Sequence, residues 1–433
     1  MTPPREHPVP LLCQKHRFWT KIIYYYTLSV EMMEDKSNRN VFKVPAEEIQ
    51  RRIHRVQQEM RAKNMDALFI VQRVDVLYFS GTAQHASVFI PAEGKPLLLV
   101  KKFLPRALEE SPLHTILPIQ SIREIPGIII DHQGTPPARL GFEWDVMPMR
   151  EFQFYKKLFA DAECVDGSPA IHAVRSIKSA WELAQMERAA EKSLQLFDYI
   201  GKYVKEGATD VEVSTRAESF ARAIGHGAAL RIRDYQKAGF SVSHVAESEG
   251  GANSVLALPS IREGNCLAIE PKTSLHRGEP ITLESRFFLN GYHMHEARIS
   301  SIGPLPRAFN ERVKRLLDLQ GEIVAEVKAG ISPARLFQLS LQKASALGVD
   351  QNNPGRGTGR KRILGNGIGL ELVEPPIIAE GNEEILEQGM VLSLFSETRV
   401  DDRYSLRSRD VVVVTKNGHR KITRLPLQVF ICS

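Results

Sequence analysis

In the stretch PAEEIQRRIHRVQQEMRAKNMDALFIV, apolar residues recur at helical spacing. Ile49, Ile53, Val56 and Met60 form one stripe, Asn64 ends it, and Ala67–Val71 is an unbroken apolar run of strand length. Further strands are predicted at Ser87–Ile90 and Pro96–Val100, and a helix at Met149–Leu158. Strands alternating with helices in this way predict an α/β domain over residues 46–172. A second domain, 173–433, opens with VRSIKSAWELAQMERAAEKSLQLFDYIGKYV, where Ser179 is a helix N-cap, Glu182 stands three residues on, and the apolar period is again helical. Two more amphipathic helices run from about Glu311 to Leu347, split at Gly330-Ile-Ser-Pro333. Strand patterns gather at Pro280–Leu289, His293–Ile302, Leu370–Val373, Met390–Phe395 and Val411–Thr415. Helices outside and strands inside, in two similar halves, make this second domain α+β.

Within it, GNGIGLELVEPP (Gly365–Pro376) spaces glycines at every second position. Such spacing suggests backbone brought close to something. Asn366, between the first two glycines, is a poor catalyst and a poor metal ligand.

Composition narrows the function classes. Apolar residues at 43% and charged residues at 25% describe a soluble globular chain. The net charge of +6, from 57 basic and 51 acidic residues, comes without a dense Lys/Arg tract, so no nucleic-acid partner is expected. Residues 1–45 are left unassigned. RFWTKIIYYYTLSV is interrupted by Lys21 and too short for a bilayer, no cleavage site follows it, and Met32 or Met33 is an equally good start. No membrane attachment is expected. Cys13, Cys164, Cys266 and Cys432 form no CxxC pair, which fits free thiols in a reducing, cytoplasmic compartment.

Several blocks, in order, carry a resemblance. VRSIKSAWELAQMERAA, NGYHMHEARISSIG, GNGIGLELVEPP, LEQGMVLSL and RDVVVVTKNG, with LGFEWDVMP and ECVDGSPAIHAVRSIKS at the domain junction, resemble the creatinase/Xaa-Pro aminopeptidase family over about residues 46–430. The resemblance implies the pita-bread fold, a creatinase-type N-terminal domain, and a homodimer. It also implies a centre of two divalent metals held by two Asp, one His and two Glu, which polarise water and the scissile carbonyl. Laid on this sequence, those five positions fall on Glu284, His295, Asn366, Phe395 and Arg409, with Asp410 in register after the last. Two further motif histidines fall on Val373 and Ser260. One carboxylate survives by type, one position is apolar, and one carries a permanent positive charge that repels divalent ions. No metal cofactor is expected. Arg409 is expected to pair with Glu284, and Phe395 to fill space the metals held.

Four functional readings stay open. In the first, the chain hydrolyses an amide or guanidine-type C–N bond without metal, as creatinase does, with His295 or His293 as base beside Glu284. In the second it binds a peptide, protein or small ligand without turnover. A third rebuilds a single-metal site from Glu284, His293 and His295, since the two histidines share a strand face. The fourth is an Xaa-Pro dipeptidase with an atypical metal site. Candidate catalytic residues are Glu284, His293 and His295. Asn366, Arg409, Arg298 and Glu374 are candidate substrate contacts, Arg298 because the family places a supporting arginine after the second Asp. PGRGTGRKR (Pro354–Arg362) lacks the P-loop order and reads as a solvated basic loop, and Glu247 and Glu249 read as loop charges. His226 and His244 read as structural.

Overall fold

The computed structural model describes residues 42–227, 254–256, 274–349, 363–399 and 405–432. Two compact units divide between Val174 and Arg175. Ser260, His244, Glu247, Glu249 and the basic stretch Pro354–Arg362 lie outside the described residues.

The first unit begins with helix Ala46–Ala62, whose stripe Ile49, Ile53, Val56 and Met60 is buried and whose run ends at Asn64 with φ 52°. Arg52 is buried with it, bonded to Glu48 at 2.7 Å and to the Tyr78 carbonyl at 2.9 Å, its guanidinium 4.1 Å from the Tyr78 ring centroid. A buried cation is tolerated here because each direction it faces holds an acceptor or a ring. Strands β1 (Ala67–Ile70), β2 (Ala86–Pro91), β3 (Leu97–Val100), β4 (Ile116–Pro118), β5 (Arg139–Phe142) and β6 (Glu163–Asp166) form one mixed sheet in the order β4-β3-β2-β1-β5-β6. Helix Met149–Leu158 packs Tyr155 against Phe69 of β1, ring centroids 5.3 Å apart. Burying a ring such as Phe69 contributes about 2–3 kcal/mol.

The second unit carries helix Ala180–Ile200, started by the expected reciprocal cap between Ser179 and Glu182. Its nine-stranded sheet is built from β7 (Ser254–Leu256), β8 (Pro280–Leu289), β9 (Tyr292–Ile302), β10 (Ile363–Gly367), β11 (Glu374–Ala379), β12 (Val391–Arg399), β13 (Ser405–Thr415), β14 (Gly418–Lys421) and β15 (Phe430–Cys432). The main path is β11-β10-β12-β13-β9-β8-β7, with β14 on β13 and β15 on β9. Helices Ala180–Ile200 and Arg307–Ala325 cover one face, the latter burying Leu316, Leu319, Gln320 and Ile323. Strands β8 and β9 join through Asn290-Gly291, φ 52° and 93°, the two-residue left-handed turn that sets hairpin register.

The glycine-rich stretch differs from expectation. Leu370–Val373 is not a strand; β10 ends at Gly367 and β11 begins at Glu374. The alternating glycines do make a close approach, but to protein. A Cβ on Gly365 would lie 2.2 Å from the Ser393 carbonyl, and one on Gly367 2.2 Å from that of Pro375. The spacing that resembled a ligand loop therefore serves strand packing. Among the described residues no helix is long and apolar enough to cross a membrane, and Cys164 and Cys432 are free thiols.

Candidate functional site

Strand alternation decides which side chains meet. In β8 and β9, Glu284 lies opposite Ala297 and Arg286 opposite His295. Arg409 of β13 lies opposite both Ala297 and Phe395. Glu284, Arg286, His295, Phe395, Arg407 and Arg409 consequently share one face of the sheet, the one away from helix Arg307–Ala325.

At its centre His295 Nε2 donates to Glu284 Oε1. Arg407 Nη1 stands 3.5 Å from Glu284 Oε2, and Arg286 Nη2 3.8 Å from Oε1. Burial alone raises the Glu284 pKa, but His295, Arg407 and Arg286 outweigh it and hold the carboxyl well below the usual carboxylate range. Burial, and then the charge of Arg409, push His295 well below its usual value, against the pull of Glu284. The pair is thus carboxylate and neutral imidazole. With Nε2–H committed to Glu284, the lone pair sits on Nδ1.

The arginines divide into two kinds. Arg407 closes on Glu397, with Nη2 and Nε 2.5 and 3.1 Å from Oε2. Arg409 does not pair with Glu284 as expected: its Nη1 donates to Ser393 Oγ at 3.0 Å, and its guanidinium rests 4.5 Å from the Phe395 centroid. Arg407 lies 5.2 Å from the same ring. Phe395 is thus a platform for two cations rather than simple filling. Burial pulls Arg286 down to about 10 and Arg409 to about 9, so both stay charged at neutral pH.

The remaining sequence candidates fall elsewhere. His293 turns from Glu284, bonding the Gly369 carbonyl through Nδ1 at 3.1 Å and stacking on Phe288, centroids 4.9 Å apart. The expected Glu284–His293–His295 set is not assembled, and among the described residues no three His, Cys, Asp or Glu side chains could hold a metal ion. Arg298, expected at the substrate, lies on the helix-covered face. There it bonds Asp410 at 2.6 Å and the carbonyls of Ala297, Arg409, Leu425 and Pro426 at 2.8–2.9 Å, leaving no donor to offer. Glu374, also expected there, accepts from Arg175, from Lys178 at 3.0 Å and from the Glu371 amide at 3.0 Å. Burial raises its pKa, but Arg175 and Lys178 outweigh that and bring it to about 2. Asn366 shares the register of Ser393 but spends its amide on the carbonyls of Gly367 and Leu372, at 2.7 and 3.0 Å. His226 is structural, accepting the Phe288 amide through Nδ1 at 3.1 Å. Sequence reasoning missed Arg286, Arg407 and Glu397. The signal was available, since residues two apart along a strand share a face, and Arg286 and Arg407 are two from Glu284 and Arg409.

Comparison with known proteins agrees with this architecture. Residues 52–177 match the family model of the creatinase/prolidase N-terminal domain, and residues 184–416 that of metallopeptidase family M24. The Xaa-Pro dipeptidase of Pyrococcus furiosus is 22% identical over 86% of this chain and 97% of its own. The crystal structure of the prolidase from Pyrococcus horikoshii OT3 superposes with a TM-score of 0.70 at 21% identity, covering 87% of this chain and 99% of that one. The X-Pro aminopeptidase from Thermotoga maritima MSB8 gives 0.69 at 20%, covering 88% and 99%.

Proposed function

The chain belongs to metallopeptidase family M24, and we propose that it works without that family's dimetal centre, as a metal-independent hydrolase of a C–N bond. The donor set supports this. Where the family resemblance expects five metal ligands, the face offers Glu284, His295, Asn366, Phe395 and Arg409; the Phe395 ring has no lone pair to give and Arg409 presents only hydrogen donors. Glu284, the surviving carboxylate, is already engaged by His295 and two arginines. These residues do not fit two divalent ions.

The observation that carries the reading is the buried Glu284–His295 hydrogen bond. A water proton passes to His295 Nδ1 as the water oxygen bonds the substrate carbon, and Glu284 holds the ring and stabilises the imidazolium so formed. Arg286 and Arg409 stand on the same face and give it the positive charge that metals give in relatives. Collapse breaks the C–N bond as the imidazolium returns its proton to the leaving nitrogen. The depressed basicity of His295 favours a second reading in which the same face binds its ligand without turnover. A cytoplasmic homodimer belongs to both readings, and light scattering of the purified chain tests the dimer.

The test is elemental analysis joined to a chelator-treated assay on a panel of N-acyl amino acids and Xaa-Pro dipeptides. We expect substoichiometric metal and chelator-resistant hydrolysis of an N-acyl substrate, lowered about 10²–10⁴-fold in His295→Ala. Two metals per chain with chelator-sensitive Xaa-Pro cleavage defeats both readings. No turnover by metal-free protein leaves the second.

A further inference from the structure

Arg286 is fully buried, and none of its three guanidinium nitrogens has a hydrogen-bond acceptor among the described residues. Its neighbouring carboxylate oxygen, Glu284 Oε1 at 3.8 Å, already accepts from His295. Arg409 is in a similar position: one nitrogen reaches Ser393, while Nε is buried without an acceptor. Arg407 and Glu397 neutralise each other. Among the described residues two cations are therefore left beside the single carboxylate of Glu284, which already accepts from His295, an excess of one positive charge. Elsewhere the same chain closes its buried arginines completely, as with Arg52 on Glu48 and Arg298 on Asp410. Desolvating a cation without acceptors is costly, and the cost is removed when a bound anion supplies them.

We propose that Arg286 and Arg409 form the binding site for a carboxylate group of the small-molecule ligand. One negative charge cancels the excess, whereas a phosphate monoester overshoots it. A planar carboxylate also matches the guanidinium fork, with two parallel N–H···O bonds and an ionic acceptor. The proposal deepens the reading given above by naming the ligand class at the same face, and it holds whether or not that face turns its ligand over. In the hydrolytic case the carboxylate belongs to the N-acyl amino acid, whose amide is then carried beside His295.

The experiment uses the full chain and three probes: N-acetylglycine, the uncharged N-acetylglycinamide, and inorganic phosphate. Calorimetric titration and thermal unfolding are run on wild type, Arg286→Met, Arg286→Lys and Arg409→Gln, and each sample is also scored for release of glycine or, from the amide, glycinamide. We expect N-acetylglycine to bind and raise Tm, the amide to do neither, and phosphate to bind more weakly than the carboxylate. Arg286→Met should weaken N-acetylglycine roughly tenfold or more, while its ligand-free Tm rises because a buried cation without a hydrogen-bond acceptor among the described residues is gone. Arg286→Lys should fall between, retaining charge without the fork. Should Arg286→Met not fold, Arg409→Gln carries the same expectation for binding. Equal binding of N-acetylglycine and its amide, no binding of N-acetylglycine, or tighter binding of phosphate each overturns the proposal. So does an Arg286→Met protein with lowered ligand-free Tm and unchanged N-acetylglycine affinity, which would make Arg286 structural. Binding without glycine release leaves the carboxylate site standing and removes the hydrolytic reading. Release of glycine from the acid and of glycinamide from the amide at equal rates does the reverse.

Discussion

The two faces of the second unit's sheet treat buried arginine in opposite ways. On the helix-covered face Arg298 is saturated: Asp410 takes its charge, four carbonyls take its remaining hydrogens, and Gln320 from helix Arg307–Ala325 steadies Asp410 at 3.0 Å. On the other face, among the described residues, Arg286 has no acceptor and Arg409 has one. Burial is equally deep on both sides, so burial does not separate a structural cation from a working one. Whether its donors are spent does. Arg298 and Glu374, each expected at the substrate, are spent. Arg286, unnoticed in the sequence, is not.

The sharpest test of this contrast is to open the closed side. Arg298→Met should destabilise the second unit by about 3–5 kcal/mol, because buried Asp410 keeps only the partly exposed Lys421, 3.7 Å away, as countercharge. Urea unfolding followed by tryptophan fluorescence measures this, and a cost below about 1 kcal/mol would erase the distinction between the faces. Next in size is Glu374, also closed. Its pKa falls from 4.5 to about 2 on folding, so it contributes on the order of 3 kcal/mol at neutral pH. The sign follows from the depressed value: the contribution is complete above about pH 4.5 and drains away as pH falls toward 2. Unfolding free energy measured across that window should slope steeply in wild type and flatten in Glu374→Gln.

Smaller effects are expected on the open face. Arg409→Met should stabilise the ligand-free chain by about 1 kcal/mol or more, the opposite sign to Arg298→Met, with the same denaturation measurement deciding. Asn366→His restores the family's motif residue but loses two amide hydrogen bonds, a cost of about 1 kcal/mol. Even joined to Phe395→Glu and Arg409→Glu it should not yield metal-dependent Xaa-Pro cleavage, since position 295 still holds His. Robust cleavage after manganese loading would show that His295 had been misjudged.

The helices were legible because their signals are local. The Ile49–Met60 stripe, the Ser179–Glu182 cap and the segment Met149–Leu158 each depend on residues within a few turns. Strand β1 was legible for the same reason, as a continuous apolar run. Around Gly365–Pro376 the pattern misled, because Gly365 answers to the Ser393 backbone, distant in sequence, and Gly367 to the Pro375 backbone across the pairing of β10 with β11. Glu284 and His295 could be paired from the family's spacing. That His293 would turn to Gly369 and Arg409 to Ser393 depends on partners that spacing does not reveal. Arg286 and Arg407 were overlooked because family ligand positions, rather than strand parity, guided the choice.

The Asn290-Gly291 turn has a consequence for how such a face changes over generations. By locking the pairing of β8 with β9, it lets each inward residue be exchanged singly while its neighbours keep their places. Positions 284, 286 and 295 can each be exchanged one substitution at a time without loss of the scaffold. The same lock makes the turn intolerant of length change. One residue inserted or deleted there would carry Glu296 onto the face of Glu284 and His295 under the helices, altering every position of the hairpin in a single event.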